Sequence, residues 1–250
     1  MRPLFGLLLL LLSLSGNMVS AQELKIIFSQ YTPPYVFESG EGIVVDIVRS
    51  ALAFSGHTIQ PVYVPIGRGF ELFAERRVAG TAIIKEDSGL TANYSADFMQ
   101  YHNYAFTLKS RHYQLNSVTD LGDKAVTAFQ YAHKYLGEAF GEVVNSNPQY
   151  KEIANQETQT LMLLLGRIDV AVMDESIFRY YREKLLAEGK VTAAAEYEAF
   201  NLFAPTPYKT AFIDASIRDD FDRGLAHIRQ NGHYDAIYRH YIEEYFVLHQ

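Results

Sequence analysis

No cysteine occurs in the 250 residues, so the fold must hold without disulfides, and thiolate metal sites and a cysteine nucleophile are excluded with them. That constraint bites because the chain opens like an exported protein. Met1 and Arg2 form a short basic start, residues 4–14 are an apolar run, and Val19-Ser20-Ala21 places small or branched residues where a leader peptidase cuts. The pattern predicts a signal peptide over residues 1–21 and a mature chain beginning near Gln22. The apolar run is shorter than the about 20 residues a membrane-spanning helix needs, and polar Ser13, Ser15 and Asn17 close it; a retained anchor is the competing reading. No cysteine follows the leader to take a lipid, and no later segment has the apolar length of a span. An exported chain without disulfides relies on a large core, which a chain of this size can build and a small secreted domain usually cannot. A bacterial envelope compartment suits it better than an animal extracellular fluid.

Charge and motifs remove further classes. Lys and Arg number 22 against 29 Asp and Glu, a formal charge of −7, and loss of Arg2 with the leader makes it −8. That sign is wrong for neutralising phosphates over a broad nucleic-acid footprint. There is no Gly-x-Ser-x-Gly elbow and no P-loop, and Gly40-Glu41-Gly42 lacks the third glycine of a dinucleotide fingerprint. His227, His233 and His240 stand six and seven residues apart, not at i, i+4, so the histidines read as scattered surface residues rather than metal ligands. Asp219, Asp220 and Asp222 fall in the first turns of a helix, where carboxylates suit the dipole, and read as a solvated face. Asn93-Tyr94-Ser95 matches a glycosylation acceptor, a pattern too short to carry weight.

Along the mature chain, strand and helix patterns alternate. Residues 24–28 form an apolar strand, followed by Tyr31-Thr32-Pro33-Pro34-Tyr35, whose prolines forbid helix and central strand alike. Ile43, Ile47, Val48, Ala51 and Leu52 stand at helical spacing within 42–55, Gly56 stops the helix, and a strand at 58–64 completes a βαβ unit. A helix around 70–77 and a strand at 81–84 extend a largely parallel sheet. After an extended segment at 104–108 the alternation restarts, with a strand at 124–129, a helix from about Tyr131 and a helix at 156–165. An apolar strand at 168–173 then leads directly into a helix at 175–188. Residues 200–203 read as extended, Pro205-Thr206-Pro207 as a turn and 209–213 as a strand. Two amphipathic helices end the chain, the first with Ile217, Phe221, Leu225 and Ile228 on one stripe, the second with Ile237, Tyr241, Ile242 and Tyr245. No repeat and no low-complexity linker separates the halves, which points to two lobes joined by extended hinge strands.

Several segments stand in the order and spacing of a known family. They are Tyr31 to Tyr35 with residues 42–46 behind them, Tyr94-Ser95, and Val118-Thr119-Asp120-Leu121. Further on come Gly166-Arg167-Ile168-Asp169-Val170-Ala171-Val172-Met173-Asp174-Glu175 and Ile228-Arg229-Gln230-Asn231-Gly232-His233-Tyr234-Asp235. Over nearly all of its mature length the chain resembles the extracellular solute-binding proteins of family 3, which include the polar amino-acid receptors of bacterial ABC importers. The resemblance implies an α/β, two-lobed periplasmic-binding-protein type II fold with two hinge strands. Residues 22–106 and 204–250 would form one lobe and 107–203 the other. It also implies a periplasmic monomer that needs no cofactor, holds a small-molecule ligand between its lobes, and presents the closed form to an ABC transporter permease or a membrane sensor. Ligand touching both lobes shifts the population toward closure, and the crevice beyond the carboxyl ends of the strands is where open α/β sheets bind.

An amino-acid zwitterion needs a cation for its carboxylate and an anion for its ammonium group. Asp174 stands where the family places the aspartate that takes the amino group; it also suits a plain helix N-cap, and the two roles are compatible. The family's carboxylate-binding arginine is missing, since no Lys or Arg occurs between Lys85 and Lys109 and ungapped counting puts Ser88 in its slot. The family's Gly-Thr pair after the strand at 124–129 is replaced by Tyr131-Ala132. Two cations are candidate substitutes. Lys85 otherwise reads as a solvated lysine at a strand end. Arg68 begins a helix, where an anion would also feel the dipole. Tyr31 occupies the place of the family's stacking aromatic, Tyr35 is either a ligand contact or core, and Phe129 with Tyr131 would add an aromatic wall from the other lobe.

These residues predict a receptor, not an enzyme, that captures a small polar, amino-acid-like or cationic molecule for an ABC importer. Two rivals use the same scaffold: an envelope enzyme of the dehydratase type, as a few relatives are, and a receptor that signals to a membrane protein. Fold alone does not choose among them.

Overall fold

The computed structural model describes residues 21–30 and 32–246; the expected signal peptide, Ala21 apart, lies outside the described residues. In chain order the first half comprises β1 (Glu23–Ser29), α1 (Ile43–Ala53), β2 (Thr58–Val64), α2 (Ile66–Ala74), β3 (Gly80–Ile84), β4 (Asn93–Tyr94), β5 (Met99–Tyr101) and β6 (Asn103–Leu108). The second comprises β7 (Val126–Phe129), α3 (Ala132–Tyr135), α4 (Glu138–Asn145), β8 (Lys151–Ile153), α5 (Gln156–Leu164), β9 (Val170–Asp174), α6 (Glu175–Ala187), β10 (Tyr197–Phe200), β11 (Thr206–Phe212), α7 (Ala215–Gln230) and α8 (His233–Phe246).

Two sheets result. The first runs β2-β1-β3-β11-β4, with β5 also paired to β11; the second runs β10-β6-β9-β7-β8. β1 lies parallel to β2 and β3, and β7 parallel to β8 and β9, as helical crossovers require. The central strands are mostly apolar and buried: Leu24, Ile26, Ile27 and Phe28 in β1, and every residue of β9 up to and including Asp174 at its end. The chain crosses between the sheets twice, through His102 between β5 and β6, and through residues 201–205 between β10 and β11. Because β5 and β11 pair, with Thr206 opposite Tyr101, the two crossings lie side by side as an antiparallel hinge. The molecule is two-lobed, one lobe on each sheet.

Helix packing in the first lobe depends on two glycines. Gly42, at the N-cap of α1, has φ 129°, and a Cβ there would stand 2.3 Å from the Tyr35 carbonyl oxygen. Gly224 lets α7 lie directly on α1, since its Cβ would come 1.8 Å from the Ala51 oxygen. The predicted stripe of Ile217, Phe221, Leu225 and Ile228 is the buried face of α7.

Four expectations change. Thr206 and Pro207 belong to β11 rather than a turn. Proline is tolerated there because it sits at the strand's start, before pairing to β3 begins at Lys209. The helix from Tyr131 is two helices, divided at Gly137 with φ 95°. Asp220 is not on a solvated face, and His57 is not a surface histidine. Asp220 shares the buried stripe of α7 with Ile217 and Gly224, and its Oδ2 lies 2.8 Å from Nε2 of buried His57, while Arg223 pairs with the other oxygen. His57 Nδ1 accepts from the backbone N–H of Gln22 at 3.2 Å, which fixes the proton on Nε2. Among the described residues no group of three metal-ligating side chains occurs, and no helix is long and apolar enough to cross a membrane.

Candidate ligand-binding site

The carboxyl ends of the parallel strands of both sheets converge on one cavity. β1 delivers Ser29 and Gln30, β2 leads into Pro65 and Ile66, β7 into Phe129 and Gln130, β8 into Asn155 and Gln156, and β9 ends on Asp174; all of these line it. The hinge strands supply Tyr101, Asn103 and Tyr208. The cavity is partly open to solvent and its volume is about 230 Å³, the size of a small organic molecule.

Three tyrosine rings form a continuous wall across the hinge. Tyr101 and Tyr208 have ring centroids 5.1 Å apart, and Tyr208 and Tyr135 6.0 Å. Burial pushes the hydroxyls of Tyr101 and Tyr208 well above the usual phenol range, and the charge of Asp174 adds to this in both. Ile83, on the same wall, has φ 58°, where β3 and β11 lose register between Lys209 and Ala211. A β-branched residue in that region is strained and is held by its surroundings.

Asp174 is the charged residue lining the cavity, and no Lys or Arg lines it among the described residues. The side chain is 2% exposed. Its Oδ1 accepts from the backbone N–H groups of Ser176 at 2.9 Å and Ile177 at 3.2 Å, and its Oδ2 from that of His102 in the hinge at 2.9 Å. It therefore does cap α6, and it also ties α6 to the crossing strand. Burial pushes its carboxyl up to about 6, against the opposing pull of these N–H groups and of the Tyr35 hydroxyl. A bound cation would relieve that penalty.

Two amides complete the polar inventory. Asn103 Nδ2 and Gln156 Oε1 are buried with no hydrogen-bond partner among the described residues. The hydroxyls of Thr32 and Tyr101, also on the wall, lie beside each other. Leaving a buried polar group unpaired costs about 1–3 kcal/mol, so the two amides mark a wall that would gain from a polar occupant.

The sequence candidates separate in space. Asp174 lines the cavity, and so does Phe129. Tyr31 lies outside the described residues. Tyr35 stands behind the wall, 5% exposed, its ring 4.6 Å from that of Tyr101 and its hydroxyl beside Asp174. Arg68 is exposed and pairs with Glu71 at 2.6 Å. Lys85 pairs with Asp87 at 3.2 Å and lies 5.6 Å from the centre of the Tyr135 ring. Tyr131 stacks on Phe70 of the opposite lobe, centroids 6.0 Å apart and planes 16° apart, while its N–H donates to Glu152. Phe37 meets Tyr180 across the cleft at 5.6 Å, so aromatic contacts bridge the lobes on more than one side. Ser88, in the slot of the family's arginine, lies 3.0 Å from the Tyr94 hydroxyl and does not line the cavity. Sequence reasoning missed Tyr101, Asn103, Tyr135, Gln156 and Tyr208.

No family model and no curated protein matches the chain. Solved structures do. An ancestral arginine-binding protein bound to glutamine superposes with a TM-score of 0.71 at 17% identity, covering 90% of this chain and 97% of that one. The arginine-, lysine-, histidine-binding protein ArtJ from Geobacillus stearothermophilus gives 0.72 at 14% identity, covering 89% and 98%. A histidine kinase sensor domain with similarity to periplasmic binding proteins gives 0.70 at 19% identity, covering 88% and 96%. At these identities the likeness establishes the fold, the two-lobed architecture of periplasmic binding proteins.

Proposed function

We propose that the protein is a solute receptor that closes over a small polar molecule in the interlobe cavity. The observation that carries this reading is the pair of unpartnered amide atoms, Asn103 Nδ2 and Gln156 Oε1, on residues that line the same cavity as Asp174, whose charge no Lys or Arg among the described residues neutralises there. The amino-acid-binding proteins among the structural neighbours support the same reading. The lobes would part at His102 and at residues 201–205, where the chain crosses between sheets. A ligand against Asp174 then acts directly on the hinge, through the bond from His102 N–H to Oδ2. The Phe70–Tyr131 and Phe37–Tyr180 contacts hold the closed form. In the periplasm, the closed shape would be read by an ABC importer or by a membrane sensor; the sensor-domain neighbour supports the second.

Native mass spectrometry of freshly purified protein tests the reading, followed by thermal shift with any molecule released. Saturation at a hundred times Kd adds about 2.7 kcal/mol of stability, and at about 2–4 °C per kcal/mol for a chain of this size the melting point rises by about 5–10 °C. A protein that carries no small molecule, and that no metabolite mixture stabilises, would overturn it.

A dehydratase-type activity is the second reading, favoured by one observation: a carboxyl pushed up to about 6 is poised for acid–base work near neutral pH. A structural neighbour is an ancestral amino-acid-binding protein that is a precursor of cyclohexadienyl dehydratase. Recovery of the released molecule chemically intact after prolonged incubation with the protein counts against this activity.

A further inference from the structure

We infer that the ligand is a small organic amine, positively charged and carrying no carboxylate, with an aromatic or apolar body. The inference rests on the receptor reading and names the occupant of the same cavity. The charge lining the cavity is negative: Asp174 contributes a carboxylate, and no Lys or Arg lines the cavity among the described residues. The nearest candidate cations are engaged elsewhere, Lys85 with Asp87 and Arg68 with Glu71. A zwitterion entering here would bring one charge that Asp174 attracts and one that it repels. The N-terminus of α5, at Asn155 and Gln156, offers a carboxylate only the partial charge of a helix end, and Glu157 already sits in that first turn.

The rest of the cavity suits an ammonium group. A carboxylate has about four acceptor positions; backbone N–H groups occupy three of those on Asp174 and the Tyr35 hydroxyl the fourth, so Asp174 draws an ammonium group by its charge, and the ligand shares a lone pair already in use. Gln156 also lines the cavity, and a rotation of its side chain would bring the unpartnered Oε1 to the ammonium group. The rings of Tyr101, Tyr208 and Tyr135 present π-faces that favour a cation and an apolar or aromatic body. Asn103 lines the cavity and its Nδ2 is buried without a partner; a rotation of its side chain would let it donate to a neutral acceptor on the ligand, such as a ring nitrogen, a phenol oxygen or an imine. The volume of about 230 Å³ admits a small organic molecule.

The test uses amine and amino-acid partners that differ by one carboxylate. Mature protein, stripped by unfolding and refolding, is titrated calorimetrically at pH 7.5 with histamine, tyramine and agmatine, and in parallel with histidine, tyrosine and arginine. At least one amine should bind about 100-fold more tightly than its amino-acid partner. Asp174→Asn should weaken that amine by about 30-fold or more. Should this variant fail to fold, Gln156→Leu serves instead, with an expected loss of about tenfold and an unlowered melting point in the absence of ligand. Amino acids binding as tightly as their amines would overturn the inference and leave the receptor reading standing. Binding by neither series also overturns it, and the native mass spectrum then decides whether the receptor reading falls with it.

Discussion

Replacing Asp174 by asparagine should flatten the pH dependence of stability between pH 4 and 7. The carboxyl titrates at 3.8 when unperturbed, and burial pushes it up to about 6 in the folded protein. Between those values the folded state keeps a proton that the unfolded chain has released. The contribution is therefore fully present below about pH 4 and is lost as pH rises through 6. Two pH units at about 1.36 kcal/mol each give about 3 kcal/mol, with no discount for solvent because the side chain is 2% exposed. Asparagine can still accept from Ser176 and Ile177 through its oxygen, but its NH₂ then faces the His102 N–H. That clash adds a constant penalty of about 1–3 kcal/mol, so the readout is the slope and not the offset. Urea denaturation of both proteins, stepped from pH 4 to 7.5 without ligand, supplies it, since groups common to the two cancel in the difference. The stability of the wild type relative to the variant should fall by about 3 kcal/mol across the range. A difference that stays flat to within about 0.5 kcal/mol would refute the reasoning, because the carboxylate would then be solvated or compensated in a way the fold does not show.

Asn103→Leu should raise the stability of the ligand-free protein by about 1 kcal/mol, by removing an unpaired buried donor, and should weaken ligand retention; chemical denaturation and native mass spectrometry check the two halves. Phe70→Ala removes an interlobe stack worth about 0.5–1.5 kcal/mol, so small-angle scattering should show a larger radius of gyration without ligand, and an unchanged radius would mean that the stack does not hold the lobes. Gly224→Ala should cost about 3 kcal/mol or more, lowering the melting point by about 6–12 °C, because α7 must lift away from the Ala51 carbonyl.

Where hydrophobic period and burial coincide, the sequence was enough. The strand expected at 58–64 is β2, whose apolar residues are half-buried on both faces, and the stripe from Ile217 to Ile228 is buried on α7, whose one apolar face meets the core. Asp174 was legible as well, since an acid that ends an apolar strand and begins a helix has few places to point. What escaped depended on contacts between distant segments. Tyr101, Asn103 and Tyr208 reach the cavity only because β5, β6 and β11 form the hinge, and local pattern does not say which strands cross. Asp220 looked solvated among acidic neighbours, yet the helical phase of Ile217 and Gly224 places it inward against His57. Arg68 and Lys85 were nominated by charge and by place, at a helix start and a strand end, and nearby carboxylates engage both.

The position of β11 bears on how the molecule is made. When synthesis has reached residue 200, all five strands of the second sheet exist, while β4 and β5 still lack the strand they pair with and α1 has no α7 to cover it. The lobe begun first must therefore be finished last, by a strand that joins β4 and β5 to β3 and by two helices that dock behind it. A chain truncated after α6 lacks Tyr208 and so cannot complete the cavity wall, however well the central lobe folds.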